Sequence, residues 1–294
     1  MRVLILGGDS VIGVALREHF EAAGDEVSTT TRRKPGARDR ALFLDLGREP
    51  SLVDGHGEFD VAIVCAAVTN QKKCAEDPNR SRQVNVHGTV CVVERLVGRG
   101  CFVVFLSTSL VFDGTVPYAR VDDPRRPRGE YGRQKAEAED AVLRLGGTAV
   151  VRLTKVLHRD YGLFAQWRAT LREGKSIRAF SDLACAPLSL SEAVPFVAAI
   201  ARERWAGIWH LSGREDVSYA TMAAALAKIW QVDPALVVSV PAEEAGLSPE
   251  YAPQHTTLDT RRAEEELGFR PPSWEITLAQ IGFEPPGRIQ GHAG

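Results

Sequence analysis

The chain has 294 residues, 44% of them hydrophobic and 25% charged, and a formal net charge of −2. That composition suits a globular protein of one or two domains with a large core, and it lacks the basic stripe that a nucleic-acid surface needs. The five cysteines (Cys65, Cys74, Cys91, Cys101 and Cys185) are odd in number and have no metal-ligand spacing. They point to a reduced, cytoplasmic protein with no metal site. No apolar run is long enough to span a bilayer, and the opening MRVLILGG reads as a strand rather than a signal peptide.

The first half alternates strands and helices. Arg2–Leu6 is a continuous apolar run, as in a strand buried on both faces. Helical spacing follows over Val11–Ala23, with Gly24 closing the helix. Glu26–Thr30, Ala41–Asp45 and Val61–Ala66 read as the next three strands. A helix is expected from about Asn79 to Val97, a strand at Cys101–Leu106, a long helix at Glu130–Leu145 and a strand at Thr148–Leu153. This order predicts an α/β fold with a Rossmann-type doubly wound parallel sheet. Beyond Leu153 the pattern weakens. Helices are expected at Phe164–Glu173, at Ser191–Glu203 opened by Ser191, and at Tyr219–Trp230 capped by Ser218, with strands at Ser176–Phe180 and Gly207–Leu211. Residues 1–155 with about 183–212 are read as the dinucleotide-binding domain. About 156–182 with 213–285 are read as a smaller C-terminal α+β domain that binds substrate, and 286–294 as a loose tail.

The first strand runs into Gly7-Gly8-Asp9-Ser10-Val11-Ile12-Gly13, a glycine-rich turn that opens a helix. Such a turn lets backbone and helix amides meet a pyrophosphate. Ser10 stands at the middle position of a G-x-x-G-x-x-G spacing, where its side chain either narrows the approach or donates to phosphate. Strand two ends in Thr31-Arg32-Arg33-Lys34, with no acid between Ser28 and Ala37. NAD enzymes place an acid there for the ribose 2′-hydroxyl, whereas guanidinium groups grip a 2′-phosphate. NADP(H) is therefore the expected cofactor, with NAD(H) as a possible substitute. Asp45 and Leu46 after strand three suit the adenine, and the small Ala66 and Ala67 after strand four allow close approach.

Tyr131 and Lys135 lie four residues apart, on one helix face. An ammonium near a phenol brings it closer to working range for proton transfer. The strand before them ends Leu106-Ser107-Thr108-Ser109-Leu110-Val111-Phe112-Asp113-Gly114, which offers hydroxyls to a carbonyl.

On these elements the chain resembles the extended short-chain dehydrogenases/reductases. Within them it is similar to the dTDP-4-dehydrorhamnose reductases and their sugar-nucleotide-binding relatives. The matching stretches are LILGGDSVIG, AAVTNQKKCAEDP, VNVHGT, LSTSLVFDG, EYGRQKAEAE, VVRLTK, GIWHLSG and HTTLDTRRAEEELGF, spanning residue 3 to about 269. The resemblance implies catalytic Thr108, Tyr131 and Lys135, with Tyr131 as proton donor and Lys135 on the nicotinamide ribose. It makes Asn85 a structural and proton-relay residue. The expected cofactor contacts are Gly7, Ser10, Val11, Ile12, Gly13, Arg32, Arg33, Asp45, Leu46, Ala66, Ala67, Asn85, Ser107, Tyr131 and Lys135. The expected substrate contacts are Thr69, Ser109, Val111, Phe112, Tyr131, Arg178 and His255. Arg261, Trp167 and Trp209 are weaker candidates, and Trp209 is expected in the core. Two positions depart from the family pattern: Ser10 replaces a glycine, and Ser109 replaces an acid.

The implied activity is NADPH-dependent reduction of the 4-keto group of a nucleotide-activated deoxysugar by a monomer or homodimer. The alternatives are a sugar-nucleotide epimerase on the same triad, and a non-catalytic NADP-binding regulatory subunit such as that of methionine adenosyltransferase. Dehydratases carry an Asp-Glu pair after the catalytic hydroxyl, where this chain has Ser109-Leu110.

Overall fold

The computed structural model describes residues 1–33, 41–48, 58–246 and 252–282. Lys34, part of the Pro249–Pro253 loop and the tail beyond 282 lie outside that set. Strands β1 (Arg2–Leu6), β2 (Glu26–Thr31), β3 (Leu42–Phe43), β4 (Val61–Val64), β5 (Phe102–Thr108) and β6 (Thr148–Leu153) come in chain order from the first half. Short strands follow: β7 (Lys155–Leu157), β8 (Ile177–Phe180), β9 (Ala184–Cys185) and β10 (Pro187–Ser189). They precede β11 (Gly207–Leu211), β12 (Val217–Ser218) and β13 (Val237–Val240). Seven strands form one sheet in the order β11-β6-β5-β4-β1-β2-β3, and every pair in it is parallel. The architecture is a Rossmann-type α/β fold. The order reverses between β1 and β4, and the crevice at such a switch point is where ligands bind in these sheets.

Alternation along the strands sorts the core into two layers. Val3, Ile5, Ile63, Val104 and Val151 face one side, where Leu16, Phe20 and Val197 cover them. Leu4, Leu6, Val64, Val103 and Phe105 face the other, beneath Val92, Val93 and Val142. The covering helices are α1 (Val11–Ala22), α4 (Thr89–Val97), α5 (Glu130–Arg144) and α7 (Leu190–Arg202). Each fully buried branched side chain stabilises the fold by roughly 1.5–3 kcal/mol. A third cluster, around Phe164, Trp167, Met222, Leu226 and Leu278, packs residues from the chain after Leu153.

Several expected boundaries move. The strand expected at Ala41–Asp45 shrinks to Leu42–Phe43. The helix expected at Asn79–Val97 is preceded by a short helix at Gln71–Glu76, starts at Pro78, and is interrupted by a π-helical stretch over Gln83–Gly88. That stretch ends against the Leu46 backbone, where a Cβ on Gly88 would sit 2.0 Å from the carbonyl oxygen. Helix α7 is capped by Ser189 rather than Ser191. Ser189 and Glu192 form a reciprocal capping box, the S-x-x-E pattern that Ser191 lacks.

Candidate active site

The glycine-rich turn is built from β1 and β2 together. Gly7 takes φ +88°, and a Cβ there would meet Ala66 N at 2.8 Å, so the turn lies flat against the end of β4. Gly7 N donates to Thr30 Oγ1 at 2.9 Å, and Gly8 N to Thr30 O at 2.9 Å. Ser10 is the N-cap of α1. Its Oγ donates to Gly7 O at 2.7 Å and accepts from Gly13 N at 3.1 Å. The hydroxyl is thus engaged within the turn itself, on Gly7 O and Gly13 N. Val11 and Ile12, in the first turn, carry amides that have no partner within the helix. Val11 is also 46% exposed, an apolar side chain bare at the mouth of the crevice.

Arg32 and Arg33 follow β2, and both are exposed. Thr31 Oγ1 accepts from Arg33 N at 3.0 Å and donates to Asp9 Oδ2 at 2.5 Å. This link brings a carboxylate from the glycine-rich turn to the end of β2. The sequence reading missed it because the two residues are 22 positions apart. Asp45 accepts from Gly47 N at 2.9 Å, and Leu46 is buried.

Asn85 is a clamp. Its amide donates to Val68 O at 3.0 Å and accepts from Val68 N at 2.7 Å, fixing the segment after Ala66 and Ala67. Its Nδ2 also donates to Gln134 Oε1 at 2.8 Å. Gln134, wholly buried between Tyr131 and Lys135, donates in turn to Ser81 Oγ at 2.8 Å and Glu130 Oε1 at 2.9 Å. Position i+4 from Glu130 was the available signal for Gln134.

Thr108 ends β5, and its Oγ1 accepts from Leu110 N at 3.2 Å. The turn after it presses on the start of α5: a Cβ on Gly132 would stand 2.2 Å from Leu110 O. Tyr131 is buried, and burial pushes its phenol up from its ordinary value, so it stands protonated. Lys135 Nζ donates to Leu106 O at 2.6 Å and lies 3.6 Å from the Phe105 ring centroid. Burial lowers Lys135 to about 7, opposed by the negative charge of Glu139 one turn further along α5. Thr108 thus ends β5, Lys135 is tied to the same strand at Leu106, and Tyr131 lies at the start of α5, against which the turn after Thr108 packs. Ser107 Oγ, just beneath, is buried with no hydrogen-bond partner. An orphaned hydroxyl beside the switch-point crevice, first-turn amides and a bare Val11 together fit a dinucleotide.

Glu139 also anchors a buried network that the sequence reading missed. Arg152, next to last in β6, donates to both Glu139 oxygens, with Nη2 at 2.8 Å from Oε2. His210 Nε2 lies 3.2 Å from Arg152 Nη1, and His210 Nδ1 lies 3.1 Å from Asp259 O. Burial and the Arg152 charge hold His210 down at about 3. The neutral ring therefore donates from Nδ1 and accepts at Nε2. An arginine inside the apolar run TAVVRL was the visible signal, since buried charges are paired.

On the substrate side the placements differ. Ser109 is buried just beyond Thr108, and Thr69 is exposed after the Asn85 clamp. Val111 and Phe112 pack with Leu258, and Phe112 lies under the Arg152 guanidinium. Arg178 is exposed on β8 and pairs with Glu244 at 3.0 Å. Trp167 and Trp209 are both in the core. His255 Nδ1 lies 3.2 Å from Asp216 Oδ2, and Asp216 also accepts from Thr256 N and Thr257 Oγ1. Asp216 thus holds the whole 255–257 segment. A cleft of about 530 Å³ is lined by Arg128, three residues before Tyr131, with Ser181, Asp182, Glu243 and Gln254. A second cleft of about 510 Å³ lies around Tyr118, Arg214 and Arg261, and neither cleft is lined by Thr108, Tyr131 or Lys135. Arg261 is bound there to Asp259.

The doubly wound sheet, with Tyr131 and Lys135 one turn apart on α5, is of the extended short-chain dehydrogenase/reductase type. The chain belongs to the RmlD substrate binding domain family, whose pattern matches residues 1–282. It is 27% identical over 283 residues to the spore coat polysaccharide biosynthesis protein SpsK of Bacillus subtilis, covering 95% of this chain and 96% of that one. It is 27% identical to the dTDP-4-dehydrorhamnose reductase of Sinorhizobium fredii, covering 96% of each. It is also 26% identical to methionine adenosyltransferase 2 subunit beta of Xenopus tropicalis, covering 92% and 84%. In fold it is similar to the crystal structure of a dTDP-4-dehydrorhamnose reductase from Clostridium acetobutylicum. That match has a TM-score of 0.84 and 21% identity over 96% of this chain and 98% of the other. No helix among the described residues is long and apolar enough to cross a membrane.

Proposed function

We propose that this chain reduces the 4-keto group of a nucleotide-activated deoxysugar with NADPH. The observation that carries the reading is that Lys135 is tied to Leu106 O on the strand that Thr108 ends, with Tyr131 one turn before it on α5. The first-turn amides of α1 hold the pyrophosphate, and Arg32 and Arg33 bind the 2′-phosphate. Lys135 orients the nicotinamide ribose, and Ser107 Oγ finds its partner on the same ligand. The bound dinucleotide supplies hydride to the carbonyl carbon. Thr108 donates a hydrogen bond to the carbonyl oxygen and positions it. Tyr131 gives its phenolic proton to that oxygen as negative charge develops, completing a C=O to CH–OH reduction. Asn85 and Gln134 keep α5 and the segment after β4 in register. The cleft between Arg128 and the 181–184 and 252–254 segments takes the sugar nucleotide, whose diphosphate suits Arg128.

The test is NADPH oxidation against a panel of 4-keto sugar nucleotides. Turnover on at least one of them is expected. Tight NADPH binding with no turnover on any would instead favour the regulatory-subunit reading, and interconversion of sugar epimers without NADPH consumption the epimerase reading.

A further inference from the structure

We infer that Asp9 is a discriminating residue of the cofactor site, one that favours NAD(H) and opposes NADP(H), so that the chain accepts both dinucleotides. The inference rests on the cofactor reading above. The segment after β2 carries only cations, yet the fold returns a carboxylate to this point from the glycine-rich turn. Asp9 Oδ2 accepts from Thr31 Oγ1 at 2.5 Å, and the same Thr31 Oγ1 accepts from Arg33 N at 3.0 Å. Asp9 is exposed, and Thr31 is buried beneath it. A carboxylate offers about four lone-pair sites, and Thr31 occupies one. The remainder can accept from ribose hydroxyls, the task an acid at the end of strand two performs in NAD enzymes. A 2′-phosphate placed among Arg32, Arg33 and Asp9 meets attraction from two residues and repulsion from the third. Discrimination is then a difference between opposing contacts, with Asp9 supplying the repulsive one.

Asp9→Asn isolates the charge. The amide oxygen still accepts from Thr31, so a carboxylate that merely ties the turn to β2 would be replaced without consequence. Calorimetric titration of the wild type and Asp9→Asn with NADPH and with NADH gives four dissociation constants. The expected result is tighter NADPH and weaker NADH binding in the variant, shifting the NADH-to-NADPH ratio of constants by about tenfold or more. That is the size of a charge-assisted hydrogen bond. A ratio within twofold of the wild type, with both cofactors still bound, overturns the role of Asp9 and leaves the cofactor reading standing. A wild type that binds neither dinucleotide overturns both.

Discussion

Lys135 donates to the carbonyl oxygen of Leu106 at 2.6 Å, which moors α5 to β5 two residues short of Thr108. The hydrogen bond and the Phe105 ring both attract the ammonium. Burial outweighs them and brings Lys135 from 10.5 to about 7. Between those two values the unfolded chain holds more protons at this site than the folded one. Stability therefore rises as pH climbs from about 7, and the full penalty of the buried ammonium is felt below 7. Buried Cys65, Cys101 and Cys185, each raised to about 12, act in the opposite sense once unfolded thiols ionise near 9. The comparison thus belongs below pH 9. The melting temperature of the wild type minus that of Lys135→Met should increase between pH 7 and 8.5, ~1.5 pH units inside this window. A flat difference would show that Lys135 keeps its ordinary pKa.

Ser10 should matter to the fold before it matters to the ligand. Ser10→Ala removes both the acceptor for Gly13 N and the donor to Gly7 O, and is expected to cost about 0.5–2 kcal/mol. Ser10→Gly should cost only a few tenths, because glycine is tolerated at an N-cap. Urea denaturation distinguishes them. Dinucleotide affinity should survive Ser10→Gly. Its abolition would mean that the hydroxyl meets the phosphate directly.

The Glu139–Arg152 pair has almost no solvent contact, with side chains 0% and 1% exposed. Glu139→Gln strands the guanidinium in the core and should destabilise the fold by about 3–5 kcal/mol. Replacing both members by Leu and Met removes the stranded charge. The double variant should therefore be more stable than Glu139→Gln alone, although Arg125 then keeps only Asp140 as its carboxylate partner. Equal or lower stability of the double variant would mean that the pair contributes more than mutual neutralisation.

Local signals made most of the sheet and the catalytic pair legible. The apolar runs at β1, β4, β5 and β6, the glycine-rich turn and the four-residue spacing of Tyr131 and Lys135 are all short-range patterns. What escaped depends on distance in the chain. Asp9 meets Thr31, Asp216 meets Thr256 and Thr257, and Asn85 meets Val68, each only because the strands bring them together. The approach of Gly88, at the end of the π-helical stretch, to the Leu46 backbone is invisible for the same reason. Val111 and Phe112, substrate contacts by the family resemblance alone, follow the short helix at Ser109–Val111 into the cluster with Leu258, a placement no local pattern signals.

The proposed chemistry stands or falls on the Tyr131 hydroxyl. Burial keeps it protonated, the form that a reduction needs when charge grows on a carbonyl oxygen. Tyr131→Phe keeps the ring that packs at the start of α5 and deletes only the acid. Turnover on a reduced keto-sugar nucleotide should fall by roughly 10²–10⁴-fold, the range for a general acid. The melting temperature and NADPH affinity should hardly change. Thr108→Val removes one hydrogen bond to the same oxygen and should lower turnover less. Lys135→Met should lower both turnover and NADPH affinity, since its ammonium serves ribose and phenol alike. Steady-state kinetics with a parallel NADPH titration separates the three. Full activity in Tyr131→Phe would move the proton donor elsewhere, and the burial of Tyr131 at the start of α5 would then serve packing alone.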